Sequence, residues 1–380
     1  MKISVLVPGR LHGFDMAIYF QKLGVLNQLV TGYPVRYVLP FGIKKQYIKS
    51  LYINEIINRT TKFLGFGYPF DFLACEAFDF LASKIIKYDS DVYFIWSGYA
   101  LKTIKTLRKK NPQAKIILVR GSAHIEEQER LLKKVIYVKK HINLRIIEKE
   151  LKEYYEADYI TVPSTYAFNT FIEKGFKKEK LFINLLGVDL NQFPFQHKRE
   201  DKEKIVLGYV GTLSSRKGID SVINVIARLN DIKEIFDLNL TGPIDHKTFD
   251  ATTLKKHDFI MYNGIHKQKE LYRIYWKIDV LILNSLEDGF GMVLLQAMSC
   301  GCAIIATKNT GGPDVIQNYK NGIIIPANDE NELEKALLWF DKNKDKIPKM
   351  GMISRNISEN EFTWDAFGKR NIEFLNKLNS

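Results

Sequence analysis

Cysteine is scarce in this chain, with three in 380 residues, and that scarcity excludes a disulfide-stapled framework or a cysteine-built metal site. Cys300 and Cys302 flank a glycine inside an apolar segment, where small thiols serve as ordinary core residues, and Cys75 stands alone. Long hydrophobic runs are also missing. No apolar stretch approaches the ~20 residues that span a bilayer. The opening "MKISVLVPGR" has one lysine and five apolar or small residues before Pro8, which is too short for a signal-peptide core and reads as a first strand. The cytosol is therefore the expected compartment. There is no low-complexity tract or short-period repeat, and no helix-turn-helix, zinc-finger or RNA-binding signature, so nucleic acid is not an expected partner.

Positive charge, by contrast, is abundant. A formal net charge of +13 and a pI near 9.3 call for an anionic partner. Without a nucleic-acid signature, phosphorylated small molecules and anionic membrane surfaces are the remaining classes. The chain is too long for one ordinary core and suits two domains of ~150 to 200 residues. Short β-branched or aromatic runs, "ISVLVPG", "LNQLVTGYP", "DVYFIW", "KIILVRG", "YITVPS" and "KLFINLLGVD", end near Gly, Pro or Ser and alternate with longer amphipathic stretches. That alternation predicts an α/β protein with parallel, doubly wound sheets. After "GVDLNQFPF" the composition shifts to the charged run "QHKREDKEK", and a second series begins: "IVLGYVG", "DLNLTGP", "FIMYNG", "DVLILNS", "AIIATKNTGG" and "GIIIP". The expected organisation is an N-terminal domain over 1–190, a linker over 191–204, a C-terminal domain over 205–360, and a final helix over 361–380 that packs back on the N-terminal domain. Two such Rossmann-like domains facing across a cleft would present strand C-termini to a shared ligand.

Two stretches carry candidate chemistry. In "EDGFGMVLLQAM" an apolar strand ends on acidic residues, and Gly289 and Gly291 bracket Phe290 ahead of an apolar helix. Glycines there let backbone amides approach a ligand, and the helix N-terminus adds partial positive charge. Asp288 enters this loop, and Gln296 lies about two turns on; the plainer alternative is that Asp288 caps the helix and Gln296 faces solvent. In "YVGTLSSRKGIDSVINVIARL" a strand ends at Gly211, a loop carries Arg216 and Lys217, and Gly218 opens a helix. A guanidinium fork beside a compact ammonium suits a diphosphate, although a solvated Arg-Lys pair is the commoner cause of such a dipeptide.

Together these residues resemble the retaining glycosyltransferases of family 4, which have the GT-B fold, and the resemblance spans nearly the whole chain. "LLGVDLNQF" is similar to the family's interdomain segment, "GTLSSRKG" to its diphosphate loop, "YNGIHKQKELYRIYWKIDVLILNS" to its nucleotide-base region, and "DGFGMVLLQAMSCGCAIIATKNTGGPDVI" to its signature of two glutamates eight apart followed by a Gly-Gly turn. The resemblance implies that Arg216 and Lys217 hold the donor phosphates, that Asp288 and the amides of Phe290 and Gly291 hold the transferred sugar, that Gln296 holds the ribose, and that Ile265 packs near the base. The chain departs from the pattern in three places. Asp288 and Gln296 replace the two glutamates, unless Glu287 takes the first role by a one-residue shift; Thr212 replaces an arginine; and "PGRLHGFD" lacks a double glycine.

The first half is expected to bind the acceptor. Arg120 and His124 follow a strand, and related enzymes often place a histidine there against the transferred sugar; Gly9, Arg10 and His12 belong to the first loop at the same cleft. A hydrogen-bonded structural role is the alternative for His124, and solvent exposure for Arg10 and His12. Between Phe41 and Phe66, Ile48, Leu51, Tyr52 and Ile56 fall at helical intervals among Lys44, Lys45, Lys49, Arg59 and Lys62. Such a helix would dock on an anionic membrane and collect a lipid-linked acceptor, or simply cover the sheet. The sole Asp-x-Asp, Asp89 to Asp91, precedes a strand and so faces away from the cleft, and neither metal nor cofactor is expected. The expected activity is retaining transfer of a hexose-type sugar from a nucleoside diphosphate sugar to a hydroxyl of a growing glycan. A nucleotide-sugar epimerase and a non-catalytic nucleotide-sugar-binding subunit are the alternatives.

Overall fold

The computed structural model describes residues 1–52, 67–134, 142–198 and 203–378, with side chains omitted for 67–71. Its two sheets are parallel throughout. The first joins β1 (Ile3–Val7), β2 (Leu26–Thr31), β3 (Ile48–Ser50), β4 (Val92–Trp96), β5 (Lys115–Val119), β6 (Tyr159–Val162) and β7 (Leu181–Ile183) in the order β3-β2-β1-β4-β5-β6-β7. The second joins β8 (Ile205–Val210), β9 (Phe236–Thr241), β10 (Ile260–Tyr262), β11 (Val280–Leu283), β12 (Ala303–Thr307) and β13 (Gly322–Ile325) in the order β10-β9-β8-β11-β12-β13.

The central strands are apolar on both faces because both faces are covered. In β4, Val92, Phe94 and Trp96 join one buried cluster while Tyr93 and Ile95 join another on the opposite face. In β11, Leu281 and Leu283 belong to the same cluster as Phe94, whereas Val280 and Ile282 enter a third. One core therefore runs from the inner face of the first sheet to that of the second, through Leu186, Val188, Phe193, Phe362 and Phe367. The linker is fastened as it leaves the first sheet. Trp276 Nε1 donates to the Pro194 carbonyl at 2.8 Å, and the buried Lys198 ammonium donates to the Tyr275 carbonyl at 2.8 Å.

The helix Trp364–Lys377 returns to the first domain. Thr363 caps it by accepting from the Ala366 amide, Lys22 reaches Asp365 at 2.9 Å, and Phe374 stacks on Phe182 with ring centroids 4.2 Å apart. Gly368 sits face-on to Tyr19, where an added Cβ would lie 2.1 Å from the ring. The chain beyond β7 also meets the turn before this helix, the Val188 amide donating to the Phe362 carbonyl at 2.7 Å.

One expectation fails here. The residues from Phe41 do not begin a helix: Lys45–Tyr47 is a single 3-10 turn and Ile48–Ser50 is the edge strand β3, with Ile48 opposite Leu29. Edge pairing buries Ile48, which helical spacing had assigned to a docking face. The rest of that segment, including Ile56, Arg59 and Lys62, lies outside the described residues. Among the described residues no helix is long and apolar enough to cross a membrane.

Gly368→Ala is expected to lower stability by about 1–3 kcal/mol, because the new methyl must displace the Tyr19 ring. A denaturant midpoint equal to that of the parent protein would show that the last helix is not closely seated.

Candidate active site

Strand order places the C-terminal ends of β1, β4 and β5 opposite those of β8 and β11, and the loops leaving them form the site. After β8, Ser215–Lys217 makes one 3-10 turn, and Gly218 at φ 68° opens the helix Ile219–Ile232. No other residue fits at 218, since a Cβ would lie 2.1 Å from the Asn284 carbonyl at the end of β11. That close approach directs the preceding cations at the loop after β11. Lys217 Nζ pairs with the Asp288 carboxylate, and the Arg216 guanidinium donates to the Glu287 carbonyl at 2.8 Å and stands 3.5 Å from its carboxylate. Asp288 is thus no helix cap. The helix Met292–Ser299 starts at Gly291, φ 85°, with no side chain capping it, which leaves its first amides free of a side-chain partner.

A cleft of about 550 Å³ opens on this turn. Asp288, Phe290, Gly291 and Gln296 line it from one domain, and Arg10, His12 and Arg120 from the other. Gln296 stands just over one turn into the helix, closer to its start than the sequence suggested, and its Oε1 accepts from the buried Tyr275 hydroxyl at 2.8 Å. Arg10 crosses the cleft to Gln268 Oε1 at 3.1 Å and lies over the Phe41 ring at 4.4 Å. Arg120 is held from behind, its guanidinium donating to Gln128 Oε1 at 2.8 Å and to the Ala123 carbonyl at 3.0 Å, with Glu150 at 3.3 Å. Glu150 also accepts from Ser97 and Tyr154, so the cation is fixed before any ligand arrives.

Gly289 closes the site. A Cβ there would lie 2.2 Å from the Gly121 carbonyl of the facing domain, and its own carbonyl accepts from Ser164 Oγ at 2.6 Å. Beside it Ser122 donates to the buried Glu287 carboxylate. Glu287 is therefore a domain-to-domain contact, and its carboxylate does not line the cleft as Asp288 does.

Seven candidates are not in the cleft lining: Arg216, Lys217 and Gly289, placed above, and His124, Ile265, Gly211 and Gly9. His124 is the main correction. Its ring is 1% exposed, packed among Tyr154, Phe171 and Phe176, and its Nδ1 accepts from the Glu126 amide as a helix cap. Burial lowers its pKa to about 4, as expected for a neutral ring in an apolar box. The strand ends at Val119 and Arg120 and Gly121 reach the cleft, but His124 caps the helix Ile125–Leu132 and packs into the aromatic cluster instead. Ile265 is 74% exposed, Gly211 ends β8 with its amide on the Thr241 carbonyl, and Gly9 leads into Arg10 without lining the cleft.

Asp15, Trp96, Gln268 and Trp364 also line the cleft and were not singled out in the sequence. Burial pushes Asp15 up to about 6 against the pull of Arg10. His12 rests on Trp96 with centroids 4.9 Å apart, and burial lowers it to about 4. For Asp15 the available signal was a carboxylate three residues after His12, in the first turn of a helix.

Residues 191–357 match the family described as Glycosyl transferases group 1. That match lies in the carboxyl-terminal half, over the loops after β8 and β11. Over 269 residues the chain is 27% identical to an uncharacterized 41.2 kDa protein in the cps region of Klebsiella pneumoniae, covering 67% of this chain and 70% of that one. It is 21% identical over 355 residues to the amylovoran biosynthesis glycosyltransferase AmsK of Erwinia amylovora, covering 90% and 80%. Its fold matches the crystal structure of Anabaena HepE in complex with UDP, with a TM-score of 0.70 at 14% identity over 99% of this chain and 100% of that one. The two-domain architecture is accordingly of the GT-B type.

Neutral His124 fixes a pH dependence. Above 6.5 the folded and unfolded forms are both neutral; below it the unfolded chain takes the proton first, so stability falls from pH 6.5 to about 4. The share of His124 is up to about 3 kcal/mol at 1.36 kcal/mol per pH unit. His124→Asn keeps a capping acceptor and removes the titration, so melting temperature should fall less steeply over that window. An identical slope in the variant would place the ring in water.

Proposed function

We propose that the protein is a retaining glycosyltransferase of family 4 that moves a hexose-type sugar from a nucleoside diphosphate sugar to a hydroxyl of a growing surface glycan. The observation that carries this reading is the convergence of Arg216 and Lys217 on the Asp288 turn, beside uncapped helix amides and at the mouth of the cleft. Those amides and cations suit two linked phosphates. The acidic loop occupies Lys217; an entering diphosphate would compete with Asp288 for the ammonium and free its carboxylate for the sugar hydroxyls.

Uridine diphosphate is the favoured leaving group, since HepE, which shares the fold, was crystallised with UDP. AmsK, named for amylovoran biosynthesis, supports a polysaccharide as product. In the proposed step the C1–phosphate oxygen bond breaks and a C1–acceptor oxygen bond forms on the same face, while the acceptor proton passes to the departing phosphate oxygen. Arg216, Lys217 and the amides of Phe290 and Gly291 would stabilise the charge growing on that phosphate. Arg10, Arg120 and neutral His12 would orient the acceptor from the opposite wall. Lys44, Lys45 and Lys49 beside the edge strand would supply peripheral attraction to an anionic membrane carrying a lipid-linked acceptor.

Lys217→Ala should weaken UDP binding about tenfold or more by calorimetry, the loss of one charge-assisted contact, and should suppress transfer. Unchanged affinity would remove Lys217 from phosphate binding. Because cations and amides supply the charge stabilisation, transfer should persist in a chelator; turnover lost to chelation and restored by magnesium would contradict that assignment.

A further inference from the structure

A second interdomain cavity, also of about 550 Å³, shares no lining residue with the cleft. Arg130 and Lys134 form its wall on the first domain. Asp220, Ser221, Asn284 and Asn328 face them from the second domain, around the uncapped start of the 14-residue helix Ile219–Ile232. Asn284 is 4% exposed; its amide nitrogen donates to the Gly218 carbonyl at 3.1 Å, but its Oδ1 has no partner. A buried acceptor left empty costs about 1–3 kcal/mol unless something in the cavity donates to it.

The kind of ligand follows from that atom. A fully ionised anion has no proton for Asn284 Oδ1, and the Asp220 carboxylate, which accepts from Ser215 Oγ at 2.9 Å, repels any anion. A cation would meet Arg130 and Lys134. A hydroxyl satisfies both walls, because each O–H donates to Asn284 or Asp220 while its oxygen accepts from Lys134 or the helix amides. Leu131 and Leu286 add apolar surface for the C–H face of a ring.

We propose that this cavity binds a neutral oligosaccharide, and, resting on the glycan-transfer reading above, that its occupant is a part of the acceptor glycan remote from the hydroxyl that reacts. The occupant touches both domains and so ties them together without entering the cleft.

The test is methyl NMR of Leu131 and Leu286 during titration with maltotriose, cellotriose or chitotriose, with UDP binding followed by thermal shift in the same samples. At least one trisaccharide should move these methyls with a Kd of about 1 mM or weaker, typical of a few exposed hydrogen bonds. Ser221→Trp, which fills the cavity, should weaken that binding about tenfold, a loss of about 1.4 kcal/mol. Lys134→Ala, at an exposed position that does not endanger folding, should weaken it a few-fold. Both variants should keep the parent's UDP shift. Absence of methyl shifts with all three sugars while UDP still binds would overturn the proposal, and so would shifts that inorganic phosphate reproduces or that persist undiminished in both variants. Trisaccharide binding without UDP binding would uphold this site and instead overturn the donor reading.

Discussion

The two domains depend on a contact that leaves no room for a side chain. Gly289 lies against the Gly121 carbonyl, and the hydrogen bonds from Ser122 and Ser164 form only because the backbones come that close. Any larger residue at 289 would hold the acidic loop away from the first domain. The acidic loop held by the cations after β8, and the arginines beyond β1 and β5, would then no longer line one cleft. Gly218 imposes the matching constraint inside the second domain, where the close approach to Asn284 aims Arg216 and Lys217.

Charge in the site is balanced before any ligand enters. Lys217 is occupied by Asp288, Arg216 by the Glu287 backbone and Arg120 by Glu150. These partners differ in how easily they yield. The Lys217–Asp288 pair borders the cleft and can exchange partners, whereas the Arg120–Glu150 pair sits in a buried network with Ser97 and Tyr154 that fixes its position. Exchange on one wall and rigidity on the other suit a site that must accept and release a charged group while holding a neutral partner in place.

Most of the fold was legible because parallel strands buried on both faces are written as continuous apolar runs. β4 and β12 need no partner to be recognised as strands. β3 was missed because three residues with one buried isoleucine carry no such run, and neighbouring lysines mimic an amphipathic helix. The Arg216–Lys217 loop and the acidic turn were legible as local features for a related reason: each is a local spacing of charge and glycine. What stayed hidden is non-local. Trp96, Gln268 and Trp364 reach the cleft from three distant segments, and only the tertiary fold brings them together. His124 shows the converse, a residue whose position after a strand suggested chemistry while its burial among aromatic rings made it a cap.

The returning helix Trp364–Lys377 has a consequence for how the molecule holds together. Its chain neighbours belong to the second sheet, yet its apolar side rests on Tyr19, Phe182 and the ring of His12 through Gly368, Phe374 and Phe367. Proteolysis between the halves would therefore not release two finished bodies. The amino-terminal fragment would keep its strands but lose part of its lining, and the two pieces would stay associated after the cut.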